Sequence, residues 1–187
     1  GLKRGEKIAI IGDNRPNLYL SIAAAQILGA VPVPCYQDSV ADELQYILEH
    51  AEVKIAIVEN QEQVDKLLEI KDKLPLLKSM FYDDPRGLEN YQKTDTLALD
   101  NILNLDNETD ISLDEDIDNT AKDDISIMLY TSGTTGRPKG VLLSYYNIIS
   151  VTSVACELEN TSFNDEVVAY LPMAWVGDNI FCVAQSY

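Results

Sequence analysis

The segment 130–140 concentrates side chains that could bind a chain of phosphates. It reads Tyr-Thr-Ser-Gly-Thr-Thr-Gly-Arg-Pro-Lys-Gly. Its glycines allow positive φ and a close approach of the backbone to a ligand, and the exposed N–H groups of such a turn can bind an anion. Further hydrogen-bond donors are the hydroxyl groups of Thr131, Ser132, Thr134 and Thr135. Because Lys139 adds a positive charge, the segment suits a nucleoside triphosphate.

Two widespread phosphate-binding motifs do not describe this segment. A P-loop places Gly-Lys-Ser/Thr about five residues after its first glycine. Here that position after Gly133 is Pro138, and Lys139 is followed by Gly140. The Gly-x-Gly-x-x-Gly pattern of dinucleotide-binding folds is also absent. An ordinary flexible hairpin loop remains the alternative to a phosphate-binding loop.

Short apolar runs alternate with helical patterns before this segment. Runs typical of buried strands occupy residues 7–12, 31–35, 54–58 and 76–82. Between the first two runs, Pro16 suits the first turn of a helix and Gly29 suits the position just past its end. Further helices are predicted at 42–52 and 61–73. This alternation predicts an α/β fold with mostly parallel sheets flanked by helices.

The sequence predicts a division into three parts. Residues 1–82 form the α/β subdomain, and residues 83–124 form an acidic, solvated connector. Asp114, Asp116 and Asp118 make a calcium loop the alternative for the connector, but the glycine and terminal glutamate of an EF-hand are missing. Residues 125–187 form the phosphate-loop segment. Its predicted elements are strands at 125–130, 140–143 and 166–171, a helix at 145–158, a loop at 172–177 and an apolar helix from 178.

The eleven residues 130–140 resemble the signature loop of the adenylate-forming superfamily, which contains acyl-CoA synthetases, luciferases and the adenylation domains of peptide synthetases. They match every specified position of Tyr-Thr-Ser-Gly-Thr-Thr-Gly-x-Pro-Lys-Gly. Residues 1–11 and 29–34 are similar to the family's early N-terminal subdomain. Leu-Pro-Met-Ala-Trp-Val-Gly at 171–177 falls where the family has its Leu-Pro-x-x-His-type segment. The resemblance implies part of the large N-terminal domain of an acyl-CoA synthetase-like enzyme.

The resemblance further implies that a carboxylic acid is activated in two steps. The carboxylate attacks the α-phosphorus of ATP to give acyl-AMP and pyrophosphate, and a thiol, often that of coenzyme A, then displaces AMP. The match implies that the phosphates are held by Thr131, Ser132, Gly133, Thr134, Thr135, Gly136 and Lys139. Lys139 and Thr134 are the catalytic candidates, because this chemistry depends on positioning and electrostatics. Thr134 is also the candidate ligand of Mg²⁺.

Trp175 is the candidate acyl-binding residue, because many relatives carry histidine at the corresponding place beside the acyl pocket. A core aromatic is the equal alternative. Residues 172–177 look closest to bacterial long-chain acyl-CoA synthetases, which implies a fatty acid as substrate, with ATP and coenzyme A. The other functional hypotheses are an acyl-AMP ligase that loads a carrier protein and a non-catalytic nucleotide-binding module. The family's adenine, ribose and C-terminal lysine motifs would follow Tyr187, so we expect a fragment that is inactive in isolation.

Composition argues against several other classes of protein. The net charge of −17 disfavours a protein that binds nucleic acid by neutralising phosphates. No apolar run reaches the ~18 to 20 residues that span a bilayer, and no signal-peptide core is present. We expect a cytoplasmic location, with peripheral contact at the inner membrane face. The widely spaced Cys35, Cys156 and Cys182 predict buried thiols in a reducing compartment, and His50 is predicted at the surface or a helix end.

Overall fold

The computed structural model describes residues 2–91, 96–103, 113–131 and 136–186. Besides strands and α-helices, this part contains 3₁₀ turns at Lys71–Lys73 and Ala184–Ser186 and a π-helical turn at Asn179–Val183. In chain order they are β1 (Lys7–Ile11), α1 (Pro16–Ile27), β2 (Val31–Cys35), α2 (Ala41–His50), β3 (Val53–Val58), α3 (Gln61–Ile70), β4 (Ser79–Tyr82), β5 (Leu97–Ala98), α4 (Asp100–Leu103), α5 (Leu113–Asp118), β6 (Ile125–Thr131), β7 (Lys139–Ser144), α6 (Tyr145–Glu159) and α7 (Val176–Asp178).

Five parallel strands form the main sheet in the order β2-β1-β3-β4-β5. Ala9 of β1 pairs with Val33 of β2 and with Ala56 of β3. The strands are mostly apolar because helices cover both faces of the sheet. Ile8 and Ile10 pack against α1 on one face, whereas Ala9 packs with α2 and α3 on the other. The predicted α/β fold with mostly parallel strands is confirmed.

The sequence of β2, Val-Pro-Val-Pro-Cys, forms a strand because β2 lies at the edge of the sheet. Proline has no N–H to donate, so it is tolerated where a strand has only one neighbour in its ladder. Pro32 and Pro34 pair in register with Ile8 and Ile10 of β1. All residues of β2 are nevertheless buried, because β6 packs against this strand.

β6 and β7 form a separate antiparallel hairpin. Alternate side chains of β6 point in opposite directions, as in any strand. Met128 and Tyr130 join the core that α2, α3 and the parallel sheet share. Ile127 and Leu129 pack against Ile148 of α6. The hairpin is therefore fixed between the parallel sheet and α6, and its connecting loop starts from a rigid base.

The described part of 83–124 contains regular structure, although its sequence predicts a solvated connector. β5 extends the parallel sheet beside β4, and Leu88 and Leu99 are buried. Arg4 ties α5 to the start of the chain, because its Nη2 donates to the Asp116 carbonyl at 2.6 Å and its Nη1 lies 3.4 Å from an oxygen of Asp124. The division of the chain at residues 82 and 124 stays a prediction.

The acidic residues considered for calcium do not form a metal site. Asp114, Asp116 and Asp118 lie in α5, where side chains two residues apart point to different sides of the helix. In the four described ranges, no group of three or more His, Cys, Asp or Glu side chains could hold a metal ion. No helix in those ranges is long and apolar enough to cross a membrane.

The predicted strand at 166–171 is wrong. No strand of the described chain pairs with these residues, and a strand requires a neighbour for its backbone hydrogen bonds. Val168 and Tyr170 are exposed. The predicted helix from residue 178 is replaced by α7, the π-helical turn and a 3₁₀ turn. All cysteines are free, but only Cys35 is buried; Cys156 and Cys182 are half-buried.

Candidate functional site

The candidate phosphate loop connects β6 to β7 at one end of the hairpin. Thr131 is the last residue of β6 and pairs with Lys139, the first residue of β7. Both side chains are exposed. The hairpin therefore places a hydroxyl group on one strand and an ammonium group directly across from it on the other strand, at the base of the loop. Four of the predicted phosphate-binding residues lie outside the described residues: Ser132, Gly133, Thr134 and Thr135.

The positions of Gly136 and Gly140 favour glycine for different structural reasons. Gly136 has a φ of +99°, and a Cβ atom there would meet nothing within 4 Å. Its backbone conformation is thus what requires glycine. Gly140 lies opposite Tyr130 in the ladder, and a Cβ atom there would overlap Met128 Cε and lie 3.3 Å from Tyr130 Cζ. Gly140 is needed because the Tyr130 ring lies across its backbone.

The side chain of Tyr130 anchors the hairpin to α2. Its ring is buried, and its hydroxyl group lies 2.6 Å from Nδ1 of His50 and 3.4 Å from the Ile47 carbonyl, to which it donates. The rings of Tyr130 and His50 meet edge to face with centroids 5.8 Å apart, and His50 stacks on Tyr46. Burial raises the pKa of the Tyr130 phenol, which therefore stays neutral at neutral pH. His50 is the last residue of α2, as predicted. Its contact with Tyr130 of the hairpin was not predicted.

The positive charges of the segment differ in their surroundings. The Arg137 guanidinium lies 5.4 Å from the centroid of the Tyr46 ring, a cation–π contact. It borders a cleft of about 370 Å³ whose other wall includes Asp42 and Glu49 of α2. Within the described ranges, no carboxylate forms an ion pair with Lys139. Lys139 thus carries a positive charge at the base of the loop that is available to an anionic ligand.

Trp175 lies in residues 171–175, hereafter the Trp175 segment, which run without regular structure into α7. Its side chain is 49% exposed in this chain. Burial raises the pKa of the Tyr36 phenol, and the neighbouring Trp175 indole opposes that rise. Tyr36 directly follows β2, so Trp175 lies near the carboxyl end of that strand. In the described chain, no hydrogen bond or ring contact joins Trp175 to the hairpin.

The loop that follows β1 is hydrogen-bonded to the start of the Trp175 segment. Glu59 is buried, and its carboxylate accepts from the Asp13 backbone N–H at 2.6 Å and from Nε of Arg15 at 2.7 Å. These bonds clamp the loop to the end of β3. The neighbouring Asn14 then donates from Nδ2 to the Leu171 carbonyl at 2.9 Å. This loop lies at the carboxyl end of a parallel strand, and open α/β sheets commonly bind ligands at that edge.

The fold and the hairpin define an α/β domain that presents a glycine- and hydroxyl-rich loop with a free lysine at its base. The chain belongs to the AMP-binding enzyme family, whose model matches residues 1–186. The resemblance of residues 130–140 to that family's signature is therefore confirmed at the level of the family. The roles of the individual site residues remain predictions.

Relatives and solved structures agree with this membership. The chain is 32% identical over 181 residues to the long-chain-fatty-acid–CoA ligase ACSBG2 of Homo sapiens, with 94% of this chain and 26% of that protein aligned. The acetoacetyl-CoA synthetase of Streptomyces lividans has the same fold with a TM-score of 0.79 and 18% identity, over 100% of this chain and 29% of the synthetase. ATP-bound MatB of Rhodopseudomonas palustris gives a TM-score of 0.69 and 23% identity, over 99% of this chain and 35% of MatB. The chain thus spans about a quarter of the length of ACSBG2.

Proposed function

We propose that the whole protein containing this chain activates a long-chain fatty acid with ATP and transfers it to coenzyme A. In the first step the fatty acid carboxylate displaces pyrophosphate from ATP and forms acyl-AMP. In the second step the thiol of coenzyme A displaces AMP and forms acyl-CoA. The observation that carries the proposal is the hairpin of an AMP-binding chain with Thr131 and the unpaired Lys139 at the base of its loop.

The residues of the loop are proposed to act on the phosphates of ATP. The Lys139 ammonium group would offset the negative charge that develops on the leaving pyrophosphate. Hydroxyl and backbone N–H groups from Thr131 to Gly136 would fix the β- and γ-phosphates. Thr134 is proposed as the ligand of Mg²⁺, because a hydroxyl and phosphate oxygens are the hard donors which that ion prefers. Bound Mg²⁺ would neutralise phosphate charge.

The substrate class is proposed from the relatives and from Trp175. The human relative is named for long-chain fatty acids and for coenzyme A, which favours coenzyme A over a carrier protein as the acceptor. A half-exposed indole beside Tyr36 offers an apolar surface against which an acyl chain could pack. ATP as the nucleotide is supported by the fold that the chain shares with ATP-bound MatB.

The proposal is tested by pyrophosphate exchange on the whole protein. The assay compares acetate, benzoate, octanoate and palmitate in the wild type, in Lys139→Ala and in Thr134→Ala. Lys73→Ala is the matched control, because Lys73 is an exposed lysine in the turn after α3. We expect exchange with palmitate that is lost in both loop variants and kept in the control. If no acid supports exchange while ATP still binds, the chain is a nucleotide-binding module and the enzymatic proposal is wrong.

The acceptor and the location need separate measurements. A coupled assay for free AMP with coenzyme A, or with a phosphopantetheinylated carrier protein, identifies the thiol that completes the reaction. A cytoplasmic protein with peripheral membrane contact is proposed because free thiols at Cys35, Cys156 and Cys182 suit a reducing compartment. Cell fractionation should recover the protein in the soluble fraction and in the salt-washable membrane fraction. Recovery only after detergent extraction would contradict this location.

A further inference from the structure

A carboxylate without a cationic partner lies buried directly after the Trp175 segment. The Asp178 side chain is fully buried. Its oxygens accept from the Tyr19 hydroxyl at 2.9 and 3.1 Å, and the Cys182 thiol lies near it. In the described ranges no lysine or arginine pairs with Asp178. Burying a carboxyl group is costly unless hydrogen bonds satisfy it, and the Tyr19 hydroxyl provides such bonds here.

The neighbouring residue connects this carboxylate to the Trp175 segment. Asn179 is buried, and its Nδ2 donates to the Met173 carbonyl at 2.9 Å and to the Trp175 carbonyl at 2.8 Å. The Trp175 segment has no strand or helix hydrogen bonds of its own. Side-chain amides therefore satisfy its backbone carbonyls, which fixes the path of the chain up to Trp175.

The other end of the network lies on α1. Tyr19 belongs to the first half of α1, and Asn14 lies just before that helix. Asn14 donates to the Leu171 carbonyl, and its side chain lies near the Tyr19 hydroxyl group. The Trp175 segment is thus held at its start by Asn14 and followed by Asp178, to which Tyr19 donates. Within this frame Met173 and Ala174 are buried, whereas the Trp175 side chain is half-exposed.

We propose that Tyr19 and Asp178 are positioning residues that hold Trp175 at the acyl-binding position and so set the affinity for the fatty acid. This inference rests on the proposed function, because it concerns the acid that the whole protein activates. Neither residue touches the reacting atoms in this scheme. Loss of the Tyr19–Asp178 bond frees the Trp175 segment from α1, so the indole loses its fixed place beside Tyr36.

The test uses the conservative variants Tyr19→Phe and Asp178→Asn in the whole protein. Tyr19→Phe keeps the ring and removes only the hydroxyl group, and Asp178→Asn keeps the shape of the side chain. Tyr145→Phe is the matched control, since the Tyr145 hydroxyl also donates to a residue of α1, the Gln26 carbonyl at 2.9 Å, and not to Asp178 or to the Trp175 segment. We expect the KM for palmitate to rise up to about tenfold in both test variants, as loss of one hydrogen bond allows. The KM for ATP should stay unchanged, and the control should match the wild type.

A spectroscopic arm separates this inference from the proposed function. Fluorotryptophan is incorporated into each protein, and the fluorine NMR resonance that disappears in Trp175→Phe belongs to Trp175. We expect this resonance to shift or broaden in Tyr19→Phe and Asp178→Asn but not in Tyr145→Phe. If the wild type activates no acid, the proposed function fails, and the resonance alone still decides whether Trp175 is positioned. An unchanged resonance in Tyr19→Phe, with far-ultraviolet circular dichroism like that of the wild type, overturns the inference even if Asp178→Asn does not fold.

Discussion

The hairpin and the Trp175 segment are held in place by different means. The hairpin has its own ladder of backbone hydrogen bonds, and its strand β6 fills two cores with alternate side chains. The Trp175 segment has no ladder and depends on hydrogen bonds from Asn14 and Asn179 to its carbonyls. The loop can therefore carry exposed polar groups at little cost to the stability of the fold, whereas the position of the Trp175 segment depends on single side chains.

The largest expected effect tests whether the loop is chemically important but structurally dispensable. Lys139→Ala should lower pyrophosphate exchange by about 100-fold or more, because it removes charge stabilisation of the leaving group. The free energy of unfolding should change by less than about 0.5 kcal/mol, since the side chain is exposed. Urea denaturation of the same samples provides the second number. A large loss of stability would show that Lys139 serves the hairpin rather than the ligand.

Packing inside the hairpin provides the next largest effect. Gly140→Ala should reduce the free energy of unfolding by about 1–3 kcal/mol, because its methyl group would overlap Met128 and crowd the Tyr130 ring. Gly177→Ala is the control, as its added methyl group would meet only the end of the Leu171 side chain, at 3.0 Å. Urea denaturation measures both variants. Equal stability of the two variants would contradict the close packing of Tyr130 on Gly140.

A smaller effect measures the contact between the hairpin and α2. Tyr130→Phe and His50→Gln should show a coupling of about 0.5–1.5 kcal/mol in a double-mutant cycle of unfolding free energies. The reason is the single hydrogen bond of 2.6 Å that joins their side chains. Tyr46→Phe combined with Tyr130→Phe is the control cycle, because no hydrogen bond to the Tyr46 hydroxyl is involved. Additive losses in the test cycle would mean that the ring, and not the hydroxyl group, anchors the hairpin.

The sequence predicts the regions whose structure is decided locally. The runs at β1, β2 and β3 are almost entirely apolar, Pro16 begins α1, and Gly29 with φ +67° ends the turn after it. These features do not depend on distant residues, and the predicted fold was confirmed. The signature at 130–140 is also local, since adjacent glycines, hydroxyls and a lysine make it up. The family to which it points is confirmed, and its binding of phosphates stays a prediction.

Contacts between distant residues could not be predicted in the same way. His50 and Tyr130 are 80 positions apart, and Tyr19 and Asp178 are 159 apart, so neither pair leaves a local pattern. The sequence offered one signal for Asp178. An acidic residue at the start of an otherwise apolar stretch is either buried with that stretch or marks its boundary. The wrong strand at 166–171 has the same origin, because a β-pattern forms a strand only where a partner is alongside.

The last prediction uses pH to test the network behind the Trp175 segment. Burial raises the folded-state pKa of Asp178 above the value of about 3.9 expected in the unfolded chain. A raised carboxyl pKa means that the folded protein binds the proton more tightly, so the resulting stability is present below about pH 4 and is lost as pH rises through the folded pKa. Tyr19 and Cys182 contact the same carboxyl group, but their pKa values are also raised, that of Cys182 to about 11. Neither of them titrates in this window.

The stability of the wild type relative to Asp178→Asn should therefore fall as the pH is raised from 4 towards 7, because only the wild type must ionise a buried carboxyl group. Urea denaturation at several pH values measures this difference, and Asp165→Asn, a change at an exposed carboxylate after α6, serves as the control with a flatter profile. A difference that rises with pH would mean that the folded chain favours the carboxylate form. The Asp178 carboxyl group would then be charged at neutral pH. Its contacts with Tyr19 and Cys182 would be stronger than those of a neutral carboxyl group, and the Trp175 segment would be held more firmly.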